Sequence, residues 1–396
     1  MSDNKQTIEI VKNDKENIIN TYNRFNVVIK EGHNATLVDF NGKEYIDFSS
    51  GIGTNSFGAQ DKEWIDAVCE QAHKIQHTSN LYYSEPQTKL AKLLCEKTGM
   101  KKVFFGNSGA EANECAIKTA RKYSFYKYGK GRYEIITLIN SFHGRTIATL
   151  SATGQDVFHQ YYFPFVEGFK YAKANDIADL DSKISDKTCA IMIETIQGEG
   201  GVLPLDKEFI NHINDVCKEK DILFIVDEVQ TGNGRTGYLY SYQEYGIKPD
   251  VVSTAKGIAG GLPMCAILFG EKTEKTLSYG DHATTFGGNP ICAAAAYSII
   301  KRMDDKFLDS VKEKGAYIKE KLLACDKVKS VSGKGLMIGI ELNTEKSSKD
   351  VAMKCIENGL IILTAKNKLR LLPPLSITKE EIDKGLNILI NVLKEV

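Results

Sequence analysis

Five short apolar runs, KVFFGN, YEIITLIN, CAIMIET, ILFIVDE and DVVSTA, recur between stretches of helical periodicity through the middle of this chain. Each is too short for a buried helix and lacks the alternation of a strand with one wet face, so each reads as a strand covered on both sides. Such strands separated by helices build a mainly parallel sheet with helices on both faces, an α/β fold. A sixth run, MCAILFG at residues 264 to 270, follows the fifth after only a short Gly-rich turn. That gap is too small for a crossover helix, so this strand is expected to lie antiparallel to its neighbour.

The two ends of the chain have a different texture. Near the start, TLVDF and KEYIDF flank Asn41-Gly42 in a pattern that predicts a hairpin closed by a type I′ turn. Beyond a long helix near residues 289 to 304, amphipathic helices alternate with the curled strands SGKGLMIGIELN and KLRLLPP. Thr378 and Glu381 form a capping box for the last helix. The expected division is residues 1–57 and 296–396 together as a discontinuous small α+β domain, and 58–295 as the large domain.

Composition removes several functions. Lys plus Arg equals Asp plus Glu at 51 each, so no net field favours nucleic acid or an anionic membrane. The nine cysteines are scattered without a CxxC pair, which argues for reduced thiols in the cytoplasm and against a zinc site. No segment approaches the roughly 18 apolar residues of a membrane span, and MSDNKQTIEIVKNDKEN lacks the apolar core of a signal peptide.

Lys256 stands just after the core run VVSTA, in STAKGIAGGLP. A strand-end lysine among apolar neighbours either snorkels out or serves as a readily deprotonated nucleophile toward an aldehyde. Asp227 ends the run ILFIVDE, 29 residues earlier, the length of a strand, a helical segment and a strand. Both then emerge at neighbouring strand ends, where open α/β sheets bind ligands. A buried carboxylate there keeps a pyridinium nitrogen protonated and makes the ring an electron sink. Upstream, FFGNSGAEANECAIKTAR turns from strand to helix through Gly106 to Ala110. Amides at that helix start cradle a phosphate, with Ser108 or Asn107 as candidates for a side-chain contact. Gly232-Asn233-Gly234-Arg235-Thr236-Gly237 matches the dinucleotide fingerprint, but the aromatic stretch YLYSYQEYG follows in place of a long amphipathic helix, so that reading is set aside.

With Ser108-Gly109-Ala110, ETIQGEG at 194 to 200, Asp227-Glu228-Val229-Gln230, Lys256 and Thr284-Thr285-Phe286-Gly287-Gly288-Asn289-Pro290 in this order, the chain resembles the class III aminotransferases over nearly its whole length. The resemblance implies a fold-type-I transferase, pyridoxal 5'-phosphate as cofactor, and a homodimer with shared active sites. It implies Lys256 as the Schiff-base lysine and proton carrier, and Asp227 as the partner of the pyridinium. Gln230 is expected at the ring hydroxyl, Val229 and Phe142 on the two ring faces, and Glu194 close by. Gly109 and Ala110 would hold the phosphate with their amides beside Ser108, and Thr285 would reach it from the partner subunit. Arg145 and Arg370 would hold substrate carboxylates, with Glu199 pairing Arg370 when none is present, Thr284 beside the substrate and Asn55 near the entrance.

The reaction so implied moves the δ-amino group of N2-acetylornithine to 2-oxoglutarate. Ornithine, succinylornithine, succinyldiaminopimelate and 4-aminobutyrate stay open as donors, as does an aminomutase on the same scaffold. Three positions depart from the family pattern: Ala110 replaces a Thr, Thr195 replaces a Pro, and His282-Ala283 replaces a small-residue lead-in.

Overall fold

In the computed structural model, which describes residues 4–395, the apolar runs form one seven-stranded sheet. Before it comes an antiparallel meander of β1 (Ile29–His33), β2 (Thr36–Asp39) and β3 (Glu44–Asp47). The large sheet takes β4 (Lys102–Gly106), β5 (Glu134–Leu138), β6 (Phe169–Ala172) and β7 (Thr188–Ile193). After a small ribbon of β8 (Ile196–Gln197) and β9 (Leu203–Pro204), it takes β10 (Leu223–Asp227), β11 (Val251–Thr254) and β12 (Cys265–Phe269). Their spatial order is β4-β12-β11-β10-β7-β5-β6. β12 alone runs opposite to the other six strands, pairing antiparallel with both β4 and β11, as its short connection required.

Every residue of β7 and β10 is buried, which is why those runs are apolar throughout. Asp61 caps the helix Lys62–Lys74 by accepting from the Trp64 amide at 3.2 Å, and Gly99 ends the helix Glu85–Thr98 at φ +73°. Two expectations need correction. The link from β10 to β11 contains a glycine-rich loop and a single 3₁₀ turn, Ser241–Tyr245, and no α-helix. Asp227 nevertheless lies level with Ser253 on the adjacent strand, so the two strand ends do meet. The hairpin at Asn41-Gly42 exists, but only Gly42 has positive φ, at +81°, so the turn is not type I′. The Asp39 carboxylate takes the amides of Asn41 at 2.8 Å and Lys43 at 2.9 Å, and this fixes a wider loop.

The C-terminal part folds as β13 (Val328–Lys334), β14 (Met337–Leu342), β15 (Leu360–Ile361), β16 (Leu363–Ala365) and β17 (Lys368–Leu371), with helices against them. β15 leaves its sequence neighbours and pairs in parallel with β3, placing Leu360 opposite Ile46. The ends of the chain therefore share a sheet. The capping box is present: Thr378 Oγ1 accepts from the Glu381 amide at 3.2 Å, and Glu381 accepts from the Thr378 amide at 2.9 Å. Glu381 also accepts from Asn34 Nδ2 at 2.6 Å and the Ala35 amide at 3.1 Å, so one carboxylate ties the last helix to the first meander. Glu381→Ala is expected to destabilise the protein by about 2 kcal/mol in urea titration, more than a cap alone accounts for. A loss no larger than that of Thr378→Ala would remove the tie from this account.

Candidate active site

The strand ends of β10 and β11 open onto a cavity of about 430 Å³ whose wall includes Asp227, Lys256, Gly109, Phe142 and Arg145. Asp227 is almost fully buried, and three donors hold its carboxylate. The Val229 amide donates to Oδ1 at 2.9 Å, while Asn113 Nδ2 at 2.7 Å and His143 Nδ1 at 2.8 Å approach Oδ2. Asn113 is itself oriented by donating to the His143 carbonyl and accepting from the Ser253 hydroxyl at 2.6 Å. Burial pushes the His143 imidazole down, but its bond to Asp227 outweighs this and leaves it above the ordinary histidine value. Sequence reasoning missed both Asn113 and His143. The available signal was modest: His143 directly follows Phe142, which had been singled out, and Asn113 lies one turn inside the phosphate helix.

Lys256 has φ +45°, in the left-handed region that non-glycine residues avoid. Such a conformation carries roughly 1–3 kcal/mol of strain and persists where surrounding contacts enforce it. Burial depresses the Lys256 ammonium below the ordinary lysine value, Glu199 opposes that shift, and Arg370 reinforces it. Its neutral, nucleophilic form is thus more accessible near neutrality than a surface lysine's. Glu194, also buried, accepts from the Phe142 amide at 2.9 Å and fixes the backbone under that ring. Burial pushes the Glu194 carboxyl up to about 7, offset in part by His143 and reinforced by Asp227.

Opposite Asp227, the helix Gly109–Tyr128 points its first turn at the cavity. Ser108 Oγ caps the helix, accepting from the Glu111 amide at 3.2 Å, which leaves its O–H free to donate into the cavity. Asn107 Nδ2 is engaged, with Glu111 at 2.8 Å and Thr284 Oγ1 at 2.9 Å. The turn therefore presents its backbone amides and the Ser108 O–H, but not the Asn107 amide, to an anion. A Cβ on Gly109 would come within 2.8 Å of Val229 Cγ1. Gly109→Ala is expected to push Val229 into the cavity and raise the cofactor dissociation constant about tenfold, some 1.4 kcal/mol, by absorbance titration. An unchanged constant would show that Val229 yields freely.

The residues assigned to substrate divide in space. Arg370 is buried on β17, donates to Glu199 Oε1 at 2.5 Å and Gln230 Oε1 at 3.1 Å, and leaves its Nε without a partner among the described residues. Burial raises the Glu199 carboxyl, but Arg370 more than compensates and the net shift is downward. Gln230 also donates to Glu199 at 3.3 Å and lines the cavity, as Val229 does. Arg145 is exposed at the mouth, its guanidinium 4.2 Å from the Phe158 ring centre and 5.4 Å from Phe142. Thr54 lines the cavity, while Asn55 sits behind it, beside Gly261. Thr284 and the exposed Thr285 line a separate cavity of about 990 Å³, which the Asn107–Thr284 contact joins to the Lys256 cavity. Thr195 joins a buried cluster through Ser241, whose hydroxyl donates to Glu228 at 2.7 Å, a contact no proline could make.

A parallel-sheet edge with a strand-end lysine, a clamped carboxylate and a helix start facing both defines a pyridoxal-phosphate transferase of fold type I. Residues 18–393 match the family described as aminotransferase class-III, and the chain belongs to that family; it is a pyridoxal-phosphate-dependent aminotransferase. More particularly, it is 49% identical over 389 residues to acetylornithine aminotransferase of Haemophilus ducreyi, covering 98% of this chain and 99% of that one. It is 45% identical to acetylornithine aminotransferase of Caldanaerobacter subterraneus subsp. tengcongensis, covering 97% and 98%. Among solved structures, ornithine aminotransferase from Toxoplasma gondii ME49 superposes with a TM-score of 0.94 at 29% identity, covering 98% and 95%. N-acetylornithine aminotransferase from Stenotrophomonas maltophilia K279a superposes with a TM-score of 0.84 at 31% identity, covering 97% and 98%.

The cavity suits the cofactor on this chain's own geometry. It falls within the roughly 300–1,000 Å³ of small-molecule sites, and Asp227 and the Gly109 helix start both contribute to the wall that holds Lys256.

Proposed function

We propose that this chain transfers the δ-amino group of N2-acetylornithine to 2-oxoglutarate, giving N-acetylglutamate 5-semialdehyde and glutamate in two half-reactions. The observation that carries this reading is the Arg370–Glu199 contact at 2.5 Å, with Arg370 Nε left open. A buried arginine that can exchange an internal carboxylate for an external one suits an enzyme whose two substrates differ in charge at that end. Identity of 49% to a relative named acetylornithine aminotransferase supports the acylated donor.

The bound cofactor supplies an electron sink next to the reacting carbon and carries the amino group between half-reactions. Lys256 Nζ, depressed toward its neutral form, would hold the cofactor at rest and take the proton from the carbon bearing the donor's amine. Asp227, clamped by Asn113 and His143, would hold a proton on the ring nitrogen. Val229 and Phe142, both on the cavity wall, would restrict the ring from its two faces, and Gly109 and Ala110 would hold the phosphate through their amides beside Ser108. Arg145 at the mouth binds the donor's α-carboxylate, and Arg370 binds that of glutamate. Thr285, on the wall of a separate cavity, would reach the phosphate in the site of a second copy, with the homodimer as the working unit, and Thr284 would sit beside the substrate. Residues 1–57 and 296–396, of which 1–3 and 396 lie outside the described residues, would act as one small domain that carries Arg370. Nine unpaired cysteines support a cytoplasmic setting, and no helix among the described residues is long and apolar enough to cross a membrane.

Ornithine is the second reading, favoured by the TM-score of 0.94 to an ornithine aminotransferase. A panel of amine donors with 2-oxoglutarate, read as glutamate formed, separates the two. Acetylornithine is expected to lead in kcat/KM by about tenfold or more, some 1.4 kcal/mol of transition-state binding. A lead of that size for ornithine or 4-aminobutyrate would reverse the assignment, and donor turnover without 2-oxoglutarate would indicate an aminomutase.

A further inference from the structure

The segment Gly232 to Gly237 matched a dinucleotide fingerprint in sequence and has no part in the chemistry above. Its two functional side chains, Asn233 and Arg235, are both about 2% exposed and face opposite responsibilities. Asn233 Nδ2 donates to Thr254 Oγ1 and to the Ala255 carbonyl, each at 2.9 Å. Those are the two residues directly before Lys256. On the other side of the lysine, Ser56 Oγ donates to the Gly257 carbonyl at 2.9 Å, and a Cβ on Gly257 would come within 3.4 Å of Asn233 Cβ. The left-handed backbone of Lys256 is thus held from both flanks, and strain of that kind lasts only where contacts over-determine it.

Arg235 reaches the other way. Its Nη1 donates to the carbonyls of Leu336 and Pro373, and its backbone carbonyl accepts from the Leu336 amide at 3.0 Å. Leu336 directly precedes β14, which pairs Gly339 with Arg370, and Pro373 follows Arg370 by three residues. Arg235 Nη2 also lies 3.5 Å from the hydroxyl of Ser50, in a left-handed turn where Gly51 and Ile52 have φ near +63° and +64°. That hydroxyl donates to the Leu372 carbonyl at 2.6 Å. Asn233 and Arg235 are two residues apart, a span of at most about 7 Å of chain.

We propose that the loop 232–237 is a positioning device that sets the distance between Lys256 and Arg370, with Asn233 locking the lysine's backbone and Arg235 fixing the strand that carries the arginine. It rests on the reading that Lys256 holds the cofactor and Arg370 a substrate carboxylate. Transamination of glutamate needs the reacting carbon at the lysine while the α-carboxylate bonded to that carbon sits on the arginine, so an error of about 1 Å in that separation is felt in rate. Neither residue touches substrate or cofactor; both act through others.

Two variants separate the two ends of the device. In the holoenzyme, Asn233→Ala should move the pH midpoint of the bound cofactor's visible absorbance by about half a unit or more, because the lysine's backbone restraint is gone. It should also lower kcat about tenfold with KM for 2-oxoglutarate held within about twofold. Arg235→Lys keeps the charge but cannot span two carbonyls, and should raise KM for 2-oxoglutarate about fivefold or more with the absorbance midpoint unmoved. Thermal melts followed by circular dichroism establish that each variant is folded, and Asn233→Ser and Arg235→Gln carry the same expectations if the first pair is not. An unmoved midpoint in the Asn233 variants, or an unmoved KM in the Arg235 variants, overturns the proposal. So does failure of all four to fold, which would make the loop a folding element only. If the parent enzyme itself shows no bound-cofactor absorbance, the underlying reading has failed and not this one.

Discussion

Lys256→Ala is expected to fold, to bind pyridoxal phosphate non-covalently, and to lose transamination with every donor, kcat falling by about 10⁵-fold or more. The size of the loss follows from the lysine having two tasks, holding the cofactor and moving the proton, with no other amine in the cavity wall to take over either. Folding should survive because the side chain makes no hydrogen bond or ion pair among the described residues, while its backbone is held by neighbours. Alanine inherits the left-handed φ of +45°, so it also inherits the strain. Lys256→Gly should be equally inactive yet more stable than Lys256→Ala by about 1 kcal/mol, since glycine occupies that region freely. Glutamate release in a coupled assay and urea titration of the two variants measure both effects. Turnover near the parent's in either variant would remove Lys256 from the mechanism, and equal stability would remove the strain.

That Lys256 and Asp227 belong together was legible because strand ends are written in apolar runs, and adjacent strands in this topology bring their ends to one edge. The antiparallel β12 was legible for a similar reason: a short connection leaves no alternative. What stayed hidden was set by contacts between distant parts of the chain. Asn113 and His143 reach Asp227 across 114 and 84 residues, and no local pattern marks an asparagine or histidine as a carboxylate's partner. Asn107 was a candidate for the phosphate from its place in the turn, yet its side chain serves Glu111 and Thr284, while Ser108 caps the helix through its oxygen and keeps its O–H to donate. Asn41-Gly42 suggested a type I′ turn, but the deciding group was the Asp39 carboxylate two residues back. Thr284 and Thr285 were tied to the site by family resemblance, and a single chain places them outside its own cavity.

Asp227→Asn tests the other end of the ring. The substitution keeps the size and one acceptor for Asn113, but removes the charge that favours a protonated ring nitrogen, so kcat is expected to fall about 10³-fold with KM little changed. It also alters stability in a pH-dependent way, through His143. In the parent, that imidazole titrates above its unfolded value, so its contribution to stability is fully present below about pH 6.5 and is lost as pH rises through the higher folded value. Without the carboxylate, burial works against the charged ring and only the charge of Glu194 still favours it. The variant should therefore fall furthest behind the parent in urea titrations near about pH 6, and the gap should narrow toward about pH 9. A gap independent of pH would mean that His143 stays neutral beside Asp227. In that case the clamp is two neutral donors on a carboxylate, and the rate loss alone would have to carry the argument for the charge.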